Sequence, residues 1–100
     1  LYGAKYEALV ANKVLKKEAG QVTIAGKFCE SGDILVKDIS LPQISAGDII
    51  AIPDCGAYCL PLQSNYNASL KPAIVLAKKG KVRLIRRRET FDDLIGCDLL

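Results

Sequence analysis

The sequence contains no histidine and no methionine. Without histidine it lacks the commonest general base near neutral pH and the commonest nitrogen ligand for zinc. Without methionine there is no initiator residue. The chain opens directly on Leu1-Tyr2-Gly3, with no basic stretch leading into an apolar one. A piece of a longer, cytoplasmic protein is therefore expected. No apolar run approaches the ~20 residues that a membrane-crossing helix needs, so no membrane partner is expected. Strong charge is missing too. The net charge is +3 and half of the residues are apolar, which excludes a disordered chain.

Cysteine is present, at Cys29, Cys55, Cys59 and Cys97, but no C-x-x-C pair occurs. Cys55-x-x-x-Cys59 alone supplies too few ligands for a closed zinc site, so no metal is expected. With no secretory signal, the four read as thiols rather than as a disulfide framework.

What is there is the pattern of a β domain. A chain of 100 residues has room for one domain, which would bury roughly two-thirds of its unfolded surface. From Gln21 to Cys29 the residues alternate, with Val22, Ile24 and Phe28 on one face and Gln21, Thr23, Lys27 and Cys29 on the other. Ile34-Leu35-Val36 resumes an extended run after Gly32-Asp33. Leu41 to Ile44 reads as a loop and Ser45-Ala46-Gly47-Asp48 as a turn. Ile49 to Ile52 is a short apolar strand that stops at Pro53. Ala73 to Ala77 and Val82 to Ile85 form two further strands, joined by the hairpin signal Lys78-Lys79-Gly80-Lys81. Thr90 and Asp93 match a capping box, with Phe91, Leu94 and Ile95 on one helical face before Gly96. Tyr6 to Lys17 fits helix and strand equally. Short strands at near-regular spacing favour a small barrel or a sandwich.

Arg86-Arg87-Arg88, with Lys78, Lys79, Lys81 and Arg83, makes a basic stretch. On a small barrel it would suit an oligonucleotide or a protein partner. No aromatic residue stands between Ala73 and Thr90 to stack a base, so a solvated hairpin that resists edge-to-edge pairing is the expected role. Nucleic acid is not an expected partner.

The specific wording lies elsewhere. Cys29-Glu30-Ser31-Gly32-Asp33 is followed by Leu41-Pro42, Gly47-Asp48, Gly56-Ala57-Tyr58 and Ser64-Asn65-Tyr66-Asn67. In this order, from residue 1 to about Glu89, the chain resembles the C-terminal domain of the pyridoxal-phosphate-dependent ornithine/diaminopimelate/arginine decarboxylases. Leu1-Tyr2-Gly3-Ala4 matches the junction where those chains leave their alanine-racemase-like barrel. Within the family, the Cys-Glu-Ser-Gly-Asp wording is most similar to the diaminopimelate decarboxylases, since ornithine decarboxylases usually carry Asp after the cysteine. Cys59 departs from the family's usual glycine, and Leu62 from a frequent methionine.

The resemblance implies a mainly β fold, a small Greek-key-like β-barrel over residues 1–100 with a short C-terminal helix. It implies conversion of meso-2,6-diaminopimelate to L-lysine and carbon dioxide, with pyridoxal 5′-phosphate as cofactor. Sibling activities on arginine, ornithine or carboxynorspermidine are the alternatives, and a stand-alone binding barrel is the alternative from another class. Cys29 would be the catalytic proton donor, because an ordinary thiol with a pKa near ~8.5 is protonated at neutral pH. Glu30 would bind the ammonium at the far end of the substrate. Tyr58 would contact the cofactor phosphate and the substrate, and Tyr2 would help to hold a substrate carboxylate. The cofactor's covalent lysine and glycine-rich phosphate loop would lie in an N-terminal (β/α)8 barrel absent from this chain, so this piece alone would be inactive. The implied partners are that barrel and a second subunit, the homodimer sharing its active sites. Cys55, Cys59, Cys97 and Tyr66 are expected to be structural.

Overall fold

The structure, a computed structural model, describes residue 3 and residues 5–99. It divides into two compact units, Leu1–Cys59 and Leu60–Leu100.

In the first unit, β2 (Gly20–Ala25) pairs antiparallel with β3 (Ile34–Leu41). Val22 and Ile24 are half-buried while Gln21, Thr23 and Ala25 are exposed, as period-2 alternation requires. The partner strand keeps that face only by breaking its own rhythm. Val22 pairs with Ile39 and Ile24 with Val36, so β3 spends one residue more than β2 over this interval. Asp38 takes up the extra residue with φ 52°, a bulge that lets Val36, Ile39 and Leu41 all face inward.

β1 (Leu9–Val10) pairs antiparallel with β4 (Ile50–Ala51). Tyr6 to Lys17 is thus neither a helix nor a long strand. After β1 it turns twice, with the Lys13 amide on the Val10 carbonyl at 2.8 Å and the Lys16 amide on that of Lys13 at 2.9 Å. Val10 and Leu41 are the buried side chains among the described residues. Beside them, Lys13 reaches Asp48 at 2.6 Å, and Asn12 and the Ser45 amide donate to the same carboxylate at 2.8 Å each.

In the second unit, β5 (Ile74–Lys78) and β6 (Lys81–Arg86) form the expected hairpin. Lys79 and Gly80 both have positive φ, 49° and 72°, the geometry that matches a tight turn to the twist of its strands. Arg87 is paired with Asp93, and Arg86 lies 3.7 Å from Glu89. The single helix of this unit among the described residues, α2 (Phe91–Ile95), starts with the capping box: the Thr90 amide donates to Asp93 Oδ2 at 2.8 Å. Before β5, a 3-10 turn at Tyr66–Ala68 is pinned from β6's far end. Glu89 accepts bonds from Asn65 Nδ2 and the Lys71 amide, each at 2.8 Å.

The expected closed barrel is not found. Among the described residues the strands form three two-stranded sheets. Each strand has one hydrogen-bonded neighbour, and β1 and β4, two residues long, are too short to carry a sheet around a corner. The expected core is also small, because the hairpin leaves Val75, Val82 and Leu84 each more than half exposed. No helix among the described residues is long and apolar enough to cross a membrane.

Candidate functional site

β2 ends at Ala25, not at Cys29, so the alternation read through Phe28 stops short. Residues 26–33 form a closed loop instead. Its neck is the Gly26 amide on the Asp33 carbonyl at 2.8 Å, and within it the Asp33 amide meets the Glu30 carbonyl at 3.0 Å. The Asp33 carboxylate lies across the neck and accepts the Phe28 amide at 2.8 Å. A Cβ on Gly26 would fall 2.1 Å from that carboxylate, so any larger residue here must displace the Asp33 side chain. The Lys27 ammonium stands 5.5 Å from the centre of the Phe28 ring.

Cys29 and Glu30 occupy the far side of this loop, and both are exposed. Glu30 folds its Oε1 back over the turn, accepting from the Gly32 amide at 3.0 Å and the Ser31 hydroxyl at 3.3 Å. Its charge is therefore oriented before any ligand arrives. Tyr58 stands on a different element, the one-turn helix α1 (Gly56–Cys59), and is 69% exposed. Open space surrounds the position a Cβ on Gly56 would take. The loop thus brings Cys29 and Glu30 to one tip, while Tyr58 comes from a separate turn. Tyr2 lies outside the described residues.

Among the described residues no disulfide is formed, and no group of three or more His, Cys, Asp or Glu side chains could hold a metal. Gly26 is the site residue that the alternation obscures. The available signal was the glycine itself, since glycine inside a strand pattern marks a bulge or a close approach.

Residues 1–56 match the family model of the pyridoxal-dependent decarboxylase C-terminal sheet domain. The chain belongs to this family. It is 44% identical to the diaminopimelate decarboxylase of Bacillus subtilis (strain 168) over 99 residues, which are 99% of this chain and 23% of that protein. With the diaminopimelate decarboxylase of Methanothermobacter thermautotrophicus it shares 43% over 95 residues, 95% of this chain and 22% of that one. The solved diaminopimelate decarboxylase from M. jannaschii superposes with a TM-score of 0.87 and 41% identity, over 100% of this chain and 23% of that one. The Helicobacter pylori enzyme complexed with L-lysine gives 0.85 and 36%, over 97% of this chain and 24% of that one. The chain spans about a quarter of the length of these family members.

Proposed function

We propose that this chain is the C-terminal sheet domain of a diaminopimelate decarboxylase, which converts meso-2,6-diaminopimelate to L-lysine and carbon dioxide. The observation that carries the reading is the loop tip, where Cys29 and Glu30 are exposed side by side on a turn closed by Gly26 and Asp33. A preoriented carboxylate next to a thiol suits a substrate with a second ammonium and a carbon that must be protonated.

The residues fit the cofactor that the family implies. Tyr58 is 69% exposed, and the space beside Gly56 leaves room for a phosphate to approach. When bound, pyridoxal 5′-phosphate supplies a sink for the electron pair left as carbon dioxide departs. Cys29 Sγ gives its proton to the carbon that lost the carboxyl group. Glu30 holds the distal ammonium as a charge-assisted pair. Tyr2 assists with the substrate carboxylate.

The lysine that carries the cofactor belongs, on this reading, to a (β/α)8 barrel in the rest of the protein. The apolar side chains left open at Val75, Val82 and Leu84 are available for packing against the rest of the full-length protein. Two such proteins form a head-to-tail homodimer, with Cys29 and Glu30 entering the partner's barrel and Tyr2 and Tyr58 serving their own.

The test uses the full-length protein with pyridoxal 5′-phosphate. It should release carbon dioxide from meso-2,6-diaminopimelate and leave L-lysine, with far lower kcat/KM for ornithine, arginine and carboxynorspermidine. Equal kcat/KM for a sibling substrate sinks the substrate assignment, and no release from any sinks the enzyme. Residues 1–100 alone should release none.

A further inference from the structure

The β5–β6 hairpin sorts its side chains by chemistry. Val75 pairs with Leu84, Leu76 with Arg83, Ala77 with Val82 and Lys78 with Lys81. Side chains alternate across a strand, so Val75, Ala77, Val82 and Leu84 share one face. Leu76, Lys78, Lys81 and Arg83 share the other. The first face is wholly apolar and open to packing against the rest of the full-length protein. The second is cationic, and its residues line a cavity of about 360 Å³ together with Lys79.

The cations of this face have no counter-charge. Residues 73–88 contain no Asp and no Glu. Among the described residues no ion pair reaches Lys78, Lys79, Lys81 or Arg83, whereas Arg86 has Glu89 and Arg87 has Asp93. Lys78 stands directly across from Lys81, and like charges so placed weaken a hairpin. Resistance to edge-to-edge pairing accounts for the lysines, but not for Leu76 among them, 45% exposed. An apolar floor within a rim of cations is the complement of an apolar side chain flanked by carboxylates. A second copy of this face would set lysine against lysine. Nucleic acid brings the charge, but its phosphates leave Leu76 uncovered, and no aromatic residue between Ala73 and Thr90 can stack a base.

We propose that this face docks an extended acidic segment of a partner protein, with an apolar side chain over Leu76 and carboxylates on Lys78, Lys81 and Arg83. The hairpin's register sets the pattern of that segment. Lys78 lies two residues from Leu76, about 7 Å along the strand. The matching acidic side chains therefore stand two residues from the apolar one, on the same face of the extended segment.

The experiment titrates the full-length protein into a fluorescein-labelled peptide, Ser-Glu-Ser-Leu-Ser-Glu-Ser-Glu, at about 150 mM salt, and reads fluorescence anisotropy. The peptide should bind. Replacing its Leu by Ser should weaken binding about fivefold, since a half-exposed leucine then stays in water. Replacing every Glu by Gln should abolish it. On the protein, Lys81→Ala/Arg83→Ala should weaken binding about fivefold, as the loss of two surface charge pairs allows. Lys81→Glu/Arg83→Glu should instead favour a peptide with Lys in place of Glu, a gain that a misfolded hairpin would not give. No binding by the full-length protein, equal binding of the Leu and Ser peptides, or no effect of either protein variant overturns the site. A DNA duplex that displaces the labelled peptide at lower concentration than the unlabelled peptide does overturns the acidic segment as partner.

Discussion

Gly26 and Asp33 close the loop that carries Cys29 and Glu30, and they do so at a distance that leaves no room for a Cβ. The backbone bond between them is 2.8 Å, and the Asp33 carboxylate covers the Gly26 Cα on its way to the Phe28 amide. Asp33 has a short side chain with little freedom to retreat. Moving it breaks the Phe28 bond and loosens the tip.

Gly26→Ala should therefore cost about 1–3 kcal/mol, the range for overpacking a filled position. A lower urea midpoint with unchanged m-value would show it. Asp33→Ala removes the obstacle, so in that background the same Gly26 change should cost far less. A double-mutant cycle gives the coupling directly. Equal costs in both backgrounds would mean that the contact does not govern the loop.

The hairpin and α2 were legible in the sequence because their signals are local. Lys79-Gly80 carries the positive φ values of the turn, and Thr90 and Asp93 meet within a single helical turn. The loop at Cys29 was legible in composition and not in shape. Val22, Ile24 and Phe28 keep a period of two straight through Gly26, and what ends the strand is a side chain arriving from Asp33. β3 was shortened in the reading for a similar reason, since the bulge at Asp38 shifts the phase of the inward residues. Barrel closure could not be read from periodicity, which marks a buried face without naming its partner.

Glu30→Gln in the full-length protein tests the substrate contact. The variant keeps the shape of the turn, since a Gln oxygen still accepts from Gly32, but it loses the charge proposed to face the distal ammonium. About 2–4 kcal/mol of transition-state stabilisation should disappear from kcat/KM for diaminopimelate, as when one partner of a buried charge pair is removed. Cofactor binding should be nearly unchanged. Wild-type kcat/KM in the variant would leave Glu30 as a surface acid.

Asp48 supplies a pH-dependent tie between the β1–β4 region and the 45–48 turn. Its carboxyl is pushed down to about 2 by Lys13 first, then by Asn12 and the Ser45 amide. The unfolded chain titrates the same group near ~3.9. Asp48 thus stabilises the fold fully above the unfolded value and loses that contribution as pH falls through its folded value. Asp48→Asn should be less stable than wild type at neutral pH, and the gap should narrow between pH ~4 and ~2. Urea midpoints across that window measure it, and a gap independent of pH would remove Asp48 from the acid response.

The last prediction concerns which chain supplies which group. Two inactive forms of the full-length protein are needed, one with Cys29→Ala and one lacking the lysine proposed to carry the cofactor in the barrel. In a mixed dimer, the site built on the barrel of the Cys29→Ala chain keeps its lysine and its own Tyr58. If Cys29 acts across the interface, this site also receives an intact thiol from the other chain, while the second site lacks both groups. Random exchange of equal amounts makes half of the dimers mixed, each with one good site, so about a quarter of wild-type activity should return by two-fold symmetry. Pairing the lysine variant with Tyr58→Ala should restore little if Tyr58 serves its own barrel, because each mixed site then keeps one defect. Differently tagged chains confirm that exchange has occurred. Once it has, a first mixture that stays inactive would place Cys29 in the site of its own chain.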